Sequence, residues 1–254
     1  IVKNPIADPY ILGISSGASL GATVAIFLGV GAVFGSNSIG ICAFIGAFLI
    51  SVLVQITANI GGRANSVRLL LAGTALGSVC SAFSNFVVYI AGDRDGIQTV
   101  TFWLMGSLAN VSYRDVLLCA AIEIPCLAVA MILRWKMNLL SLDQEEARSL
   151  GINVKKLRLA VILIATIMTA VTVSVCGIIG WIGLVIPHIA RLLIGNDHRT
   201  LIPASVLMGS IYLLLIDTAA RAATAGEVPL SILTAMVGAP FFAVILRKTS
   251  GGRE

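Results

Sequence analysis

Long apolar runs separated by short polar segments make up most of this chain. The runs lie at about 11–35, 39–60, 67–91, 112–135, 154–176, 178–195, 200–220 and 230–247. Each is near the roughly 20 residues that a helix needs to cross a ~30 Å hydrocarbon core. None alternates apolar and polar residues with the period of two that a membrane barrel requires. The pattern therefore predicts eight membrane-spanning helices.

A shorter run and a set of spaced glycines refine this picture. The run 97–108 is too short to span and predicts a half-helix near one surface. Glycines recur at close spacing in three places: Gly13, Gly17 and Gly21; Gly73 and Gly77; Gly177, Gly180 and Gly183. Glycine is common in membrane helices generally, but small residues at this spacing also let helix backbones approach. The first triplet predicts a packing seam.

Composition agrees with a membrane protein. The chain is 58% hydrophobic and 11% charged, whereas a soluble domain carries about 25% charged residues. A soluble core of this size could not bury so much apolar surface, so we predict an all-α polytopic membrane protein with one transmembrane domain over residues 1–254. The chain starts at Ile1 without a signal-peptide pattern, and we expect upstream sequence to be missing.

Positive charge is divided unequally between alternate loops. One side has fourteen of the 17 Lys and Arg residues: Lys3, Arg63, Arg68, Arg134, Lys136, Arg148, Lys155, Lys156, Arg158, Arg191, Arg199, Arg247, Lys248 and Arg253. The other side has three: Arg94, Arg114 and Arg221. Because cytoplasmic loops carry the excess of Lys and Arg, we predict that the first side, with the C-terminus, is cytoplasmic.

The segment "SLDQEEARSLGINV" between the fourth and fifth predicted spans concentrates charge and helix signals. Ser141 and Gln144 fit a capping box that opens a short helix. Gly151 suits its C-terminal cap, and Asn153 suits the N-cap of the next span. The helix dipole favours acidic residues in the first turns, here Asp143, Glu145 and Glu146.

Two interpretations of this segment are a solvated connecting loop and a docking helix. Leu142, Ala147 and Leu150 would give a helix an apolar contact surface. A flexible linker would not need two helix starts and a stop within so few residues. We therefore predict a short amphipathic helix on the cytoplasmic face, within a coupling segment at 138–153.

Catalytic and metal-binding motifs are absent from the sequence. No glycine is followed by lysine, so there is no Walker A loop. His188 and His198 are ten residues apart and have no acidic partner at ligand spacing. The five cysteines, at 42, 80, 119, 126 and 176, show no C-x-x-C spacing. We predict a transport subunit that is not an enzyme, with no catalytic residue, metal site or cofactor.

The sequence as a whole resembles the FecCD-type permeases, the membrane subunits of ABC importers for iron chelates, haem and vitamin B12. The segments that carry the resemblance are "NPIADPYILGISSGASLGA" (4–22), "RLLLAGTALGS" (68–78), "FWLMGSL" (102–108), "SLDQEEARSLGINV" (141–154), "GLVIPHIARLLIG" (183–195), "DHRTLIPAS" (197–205) and "VPLSILTAMVGAPFF" (228–242). The resemblance implies the type II importer fold with ten spans, of which two would precede this sequence. It also implies a bacterial cytoplasmic (inner) membrane protein.

The resemblance further implies partners and a coupling element. The partners would be a second permease copy, most simply as a homodimer, two ABC ATPase subunits and an extracytoplasmic substrate-binding protein; nucleic acid is not expected. ATP would be hydrolysed by the partner, in agreement with the missing Walker A loop. The ATPase-coupling residues would be Ser141, Leu142, Asp143, Glu145, Glu146, Ala147, Arg148, Leu150 and Gly151.

The resemblance also suggests a pathway and a docking surface. Thr74, Ser78, Ser81 and Asn85 recur at i, i+4, i+7 and i+11, which is one face of a helix. Such a stripe suits a helix–helix seam or a wet cavity, and in this family the corresponding span lines the passage at the dimer axis. For docking of the binding protein the resemblance points to the positive side chains on the outer side, Arg221, Arg94 and Arg114.

Two other functions are compatible with parts of the sequence. An ion-coupled secondary transporter would use Glu123 and Asp217, although Asp217 and Arg221 are spaced for an ion pair on one helix. A purely structural membrane protein would not explain the coupling segment.

The sequence differs from the family pattern at one place, and the substrate is not fixed by the motifs. Where many relatives have "GPIGFIG", this chain has "GIIGWIG", with Ile178 and Trp181 substituted near the outer mouth. The expected substrate is a ferric siderophore first, haem second and cobalamin third.

Overall fold

Helices account for most of the chain that the structure describes. The computed structural model describes residues 13–34, 37–60, 66–91, 94–140, 149–151, 153–223 and 228–250. The helices are α1 (Ile14–Phe27), α2 (Val30–Phe34), α3 (Asn37–Asn59), α4 (Ser66–Ala91), α5 (Arg94–Met105), α6 (Tyr113–Leu139), α7 (Val154–Cys176), α8 (Ile182–Ile194), α9 (His198–Ala223) and α10 (Leu230–Ser250). No strand occurs within these ranges, so the all-α prediction is confirmed.

Helix lengths match the predicted spans in most places. Within the described residues, five helices are long and apolar enough to cross a membrane: α3, α4, α6, α7 and α9. The short helix expected at 97–108 is α5. Many large apolar side chains are exposed, among them Leu28 (72%) and Ile132 (77%). Since water would penalise such a surface, its solvent is lipid.

Two predicted spans differ from the structure. The run 11–35 is not one helix, because α1 ends at Phe27 and α2 begins at Val30 after Gly29, which has a φ of +64°. The run 178–195 contains only the 13 residues of α8, about 20 Å at 1.5 Å per residue. Gly177 and Trp181 both have a φ of +70°, and such left-handed residues interrupt the helical hydrogen-bond ladder between α7 and α8.

The substituted Trp181 has a defined place in this interruption. It precedes α8 as its N-cap residue without a side-chain cap, and it is the one non-glycine residue with positive φ in the described ranges. Its ring packs directly on Gly238 of α10, where an added Cβ would lie 2.7 Å from the Trp181 Cβ. A glycine on α10 thus makes room for the bulkier aromatic residue.

The main core lies between α1, α3 and α7 and is built from small side chains. Its buried residues are Ile14, Ala18, Ala22, Ala43, Ala47, Ala170 and Val173. The predicted seam forms part of it: a Cβ at Gly17 would lie 2.6 Å from the Gly46 carbonyl oxygen, and one at Gly21 would collide with the Cys42 carbonyl. The α1 and α3 backbones are therefore in direct contact, as small residues permit in membranes.

Two further contacts attach α7 to its neighbours. Ser51 on α3 and Thr166 on α7 share a hydrogen bond of 2.7 Å between their hydroxyl oxygens, and both residues are buried. At the other contact, Leu140 packs with Val154, Leu157 and Val161, so that the end of α6 lies against the start of α7. Helix α9 packs on α6 and α8, and α10 packs on α5, α8 and α9.

Candidate functional site

The polar stripe predicted on α4 lines an open groove. Thr74, Ser78, Ser81 and Asn85 are all exposed. Together with four further residues they line a groove of about 510 Å³; these residues are Ser16, Gly73, Gly77 and Ala82. The structure thus brings the four predicted pathway residues to one surface and adds Ser16 of α1, which sequence spacing on α4 could not reveal.

Three hydroxyl groups of this groove donate hydrogen bonds to the backbone of α4. Thr74 Oγ1 donates to the Leu70 carbonyl oxygen at 3.0 Å, and Ser78 Oγ donates to the Thr74 carbonyl at 2.9 Å. Ser81 Oγ donates to the Gly77 carbonyl at 3.0 Å. Such bonds to the preceding turn are usual for Ser and Thr in membrane helices. These three hydroxyls therefore present oxygen lone pairs to the groove, while the Asn85 amide offers both donors and an acceptor. None of the eight lining residues is charged.

Glycines hold the wall of the groove close to α1. Gly13 has a φ of +73° and caps the start of α1, and an added Cβ there would lie 3.2 Å from the Gly73 carbonyl oxygen. An added Cβ at Gly77 would lie 3.2 Å from Ser16 Oγ. Side chains at Gly13 or Gly77 would crowd these neighbours, so the two glycines favour the close approach of α1 and α4.

A junction at Gly106 joins three elements near the predicted outer side. The Ser107 backbone N–H donates to the Cys176 carbonyl at 2.9 Å, and the Leu230 N–H donates to the Gly106 carbonyl at 3.1 Å. The junction ties the end of α5 to the end of α7 and the start of α10. Beside it lies a cavity of about 630 Å³ whose lining includes Asp95 and Trp103.

The docking residues predicted on the outer side lie on different helices. Arg221 Nε bonds Asp217 Oδ2 at 2.9 Å near the end of α9, which confirms the predicted ion pair. Arg114 is exposed in the first turn of α6. Arg94 begins α5, and its side chain lies outside the described part. The structure does not show these three guanidinium groups converging on one point.

Most of the coupling segment lies outside the described residues. This holds for Ser141, Leu142, Asp143, Glu145, Glu146, Ala147 and Arg148. Its described end agrees with the predicted caps: Gly151 has a φ of +76°, and Asn153 accepts a hydrogen bond from the Lys156 N–H at 3.1 Å as the N-cap of α7. Leu150 is 58% exposed, so it is available for an apolar contact.

A polar cluster beside this segment was missed by the sequence reasoning. Asn138 Nδ2 donates to Asp197 Oδ1 at 2.6 Å, and Asn138 Oδ1 accepts the His198 backbone N–H at 2.9 Å. The Arg199 backbone N–H and the Asn138 amide lower the pKa of the Asp197 carboxyl below its ordinary value, so it stays ionised. An N-cap pattern could have marked Asp197, but nothing local links it to Asn138, 59 residues away.

Glu123 also has a structural partner. Its Oε1 accepts a hydrogen bond from Thr172 Oγ1 at 2.9 Å, which joins the middle of α6 to α7. The same Thr172 hydroxyl lies 2.9 Å from the Met168 carbonyl. Together with the Asp217–Arg221 pair, these contacts give each of the two candidate ion-relay carboxylates one polar neighbour.

Comparison with known proteins identifies the family. The sequence model described as the FecCD transport family matches residues 1–248. The chain belongs to the FecCD transport family. A permease protein from Helicobacter pylori, named for an iron chelatin transport system, is 42% identical over 99% of this chain and 74% of its own length. The molybdate import permease MolB of Haemophilus influenzae is 36% identical over 99% of this chain and 74% of its own.

Structural comparison gives the same family. A solved structure described as an inward-facing conformation of a metal-chelate type ABC transporter has a TM-score of 0.90 and 36% identity, covering 97% of this chain and 78% of that one. Other relatives at similar identity are named for haemin transport in Yersinia pestis and cobalamin import in Halobacterium salinarum. The chain is thus a multi-pass permease subunit of the inner membrane with the fold of metal-chelate ABC importers.

Proposed function

We propose that this permease carries a ferric siderophore from a binding protein into the cytoplasm, driven by ATP hydrolysis in a partner subunit. The observation that carries the proposal is the uncharged polar groove on α4 in a chain with relatives named for iron chelatin, haemin and cobalamin transport. Relatives at 36 to 42% identity are named for molybdate, haemin, cobalamin and iron chelatin, so identity alone does not select the substrate.

The chemistry of the groove supports a chelate over a free metal oxyanion. An oxyanion is best bound by several N–H donors and positive charge. Here three of the hydroxyls already donate to the helix backbone, no lining residue is charged, and Asn85 is the one lining side chain with N–H donors. Neutral oxygen acceptors replace part of the hydration of a large polar molecule without holding it tightly. Haem and cobalamin are the second and third candidates, because both are also bulky complexes that enclose their metal.

The arrangement of partners follows from the same proposal. The Ser141–Gly151 segment meets the ATPase subunit on the cytoplasmic side, with Glu145, Glu146 and Arg148 as polar contacts. Arg221, Arg94 and Arg114 meet acidic residues of the binding protein on the opposite side. Two copies of the chain place their α4 grooves face to face, which closes the open groove into a passage.

The ion-coupled alternative is not favoured. Its two carboxylates, Glu123 and Asp217, are engaged by Thr172 and Arg221 respectively. A proton or sodium relay needs carboxylates that exchange partners within the transport cycle, and the solved structure that this chain resembles is described as a metal-chelate type ABC transporter.

The test is uptake by the full-length permease reconstituted in liposomes with its ATPase and binding protein. Ferrichrome, haemin, cobalamin and molybdate are supplied separately, each with internal ATP or with an imposed proton gradient. We expect ATP-dependent uptake, greatest for ferrichrome. Uptake driven by the gradient without ATP would reject the ABC mechanism, and ATP-driven uptake of molybdate in preference to every chelate would reject the proposed substrate class.

A further inference from the structure

The start of α9 is capped by a side chain from another helix. The first backbone N–H groups of a helix have no partner within the helix, and here Asn138 of α6 accepts the His198 N–H at 2.9 Å. Asp197 supplies the ordinary N-cap, since its Oδ1 accepts the Arg199 N–H at 2.9 Å and its carbonyl accepts the Leu201 N–H at 2.8 Å. The cap of α9 is therefore shared between α6 and α9.

The orientation of the Asn138 amide is fixed by this geometry. A backbone N–H can only donate, so the atom facing the His198 N–H is the amide oxygen. The same oxygen lies 2.6 Å from His198 Nδ1, which must then carry its proton. The amide nitrogen donates to Asp197 Oδ1 at 2.6 Å, a short hydrogen bond to a charged acceptor, the stronger class. One amide thus makes three contacts with the start of α9.

The first turn of α9 also has one backbone hydrogen bond fewer than an uninterrupted helix. Pro203 lies inside α9 and has no N–H, so the Arg199 carbonyl loses its usual partner four residues on. Meanwhile Leu140, two residues after Asn138, is buried against Val154 and Leu157. The end of α6, the start of α7 and the start of α9 are consequently joined where the 141–148 segment leaves α6.

We propose that Asn138 is a positioning residue that couples movement of the ATPase-facing segment to α9. The bonds to Asp197 and His198 make α6 and α9 move as one unit. Helix α9 has 26 residues and is about 39 Å long at 1.5 Å per residue, and it ends beside the Asp217–Arg221 pair. It thus connects the ATPase side with the docking side. This inference rests on the proposed function, and measuring basal and stimulated ATP hydrolysis distinguishes failure of the inference from failure of the proposed function.

The experiment compares basal ATP hydrolysis with hydrolysis stimulated by the ferrichrome-loaded binding protein, in the complete reconstituted complex. Asn138→Leu keeps the approximate shape but removes all three contacts. We expect the stimulated rate to fall roughly 2- to 30-fold, the range for loss of a coupling contact, and the basal rate to fall much less. The matched control is Asn37→Leu, which removes another exposed amide–carboxylate bond between helices, from Asn37 of α3 to Asp115 of α6 at 3.1 Å, and should leave both rates unchanged.

A second pair of variants tests the same contact if Asn138→Leu does not fold. Asn138→Asp places two carboxylates together and should lose stimulation, while the exchange Asn138→Asp with Asp197→Asn restores an amide–carboxylate pair and should regain most of it. Unchanged stimulation in Asn138→Leu, an equal loss of basal and stimulated rates, or an exchange no better than Asn138→Asp would each overturn the inference. A wild-type complex without any stimulated hydrolysis would instead overturn the proposed function beneath it.

Discussion

At the scale of single residues, the Ser51–Thr166 hydroxyl pair tests how polar contacts stabilise this fold. The two oxygens are 2.7 Å apart in the buried contact between α3 and α7. Thr166→Val leaves Ser51 without its cross-helix partner and should lower the free energy of unfolding by about 0.6 kcal/mol, the average for such bonds in membrane helices. The measurement is denaturation in detergent over a double-mutant cycle with Ser51→Ala.

The double-mutant cycle compares the cost of Thr166→Val with and without the Ser51 hydroxyl. Once Ser51→Ala has removed the other hydroxyl, Thr166→Val should cost much less, because no unsatisfied group is left behind. Equal costs for Thr166→Val in both backgrounds would show that the hydroxyls contribute nothing to each other.

At the scale of elements, glycines decide how closely helices pack. An added Cβ at Gly46 on α3 would collide with the Gly17 carbonyl of α1, whereas one at Gly209 on α9 would only touch Ile186 Cγ2 at 3.8 Å. Gly46→Ala should therefore destabilise the protein by roughly 1–3 kcal/mol, as overpacking does. Gly209→Ala, also within a helix, is the control and should be neutral or stabilising. Thermal unfolding in detergent measures both, and similar midpoints would contradict the close contact.

The polar face of α4 makes a second prediction at this scale. Single cysteines at 74, 78, 81 and 85, in a chain whose five native cysteines are replaced, should react with water-soluble thiol reagents in membranes. If α4 lines the proposed passage, the rates should also change with nucleotide as that passage opens and closes. Cysteines at 76 and 83 should be protected. Leu76 packs on the cluster around Val54, and Phe83 is 57% exposed on an apolar surface that we expect lipid to cover.

Comparing the reactivity of a cysteine at 83 with that of one at 81 is the most informative test of the passage. Positions 81 and 83 are both exposed in the isolated chain, so accessibility of the single subunit does not separate them. Equal reactivity of the two sets, or none in either, would exclude α4 from the route.

At the scale of the whole molecule, Arg221 tests docking of the binding protein. Arg221→Glu should lower affinity for the binding protein on the order of tenfold at low salt, since it replaces attraction by repulsion. The difference should shrink as salt screens the charges. Asp217→Asn is the control: it removes the ion pair on α9 but keeps the guanidinium, and affinity should be maintained. If both variants bind like the wild type at low salt, Arg221 only stabilises the helix end.

The sequence by itself determined the features that depend on neighbours along the chain. Apolar length predicted the helices and their membrane environment, local spacing predicted the Asn153 cap and the Asp217–Arg221 pair, and ordered motifs predicted the family. These features are local because hydrogen bonds within a helix and i, i+4 contacts connect residues only a few positions apart. The break at Gly29 is also local, but nothing in the apolar run distinguished it from a helical glycine.

Only the tertiary structure decided which distant residues meet. Asn138 and Asp197 are 59 positions apart, and the Gly17–Gly46 contact needs α1 and α3 to pack at one particular register. In a membrane no hydrophobic effect between helices selects that register; van der Waals fit and a few polar bonds do. Tertiary packing likewise decides that Ser16 of α1 lines the α4 groove, because glycines let the two helices approach.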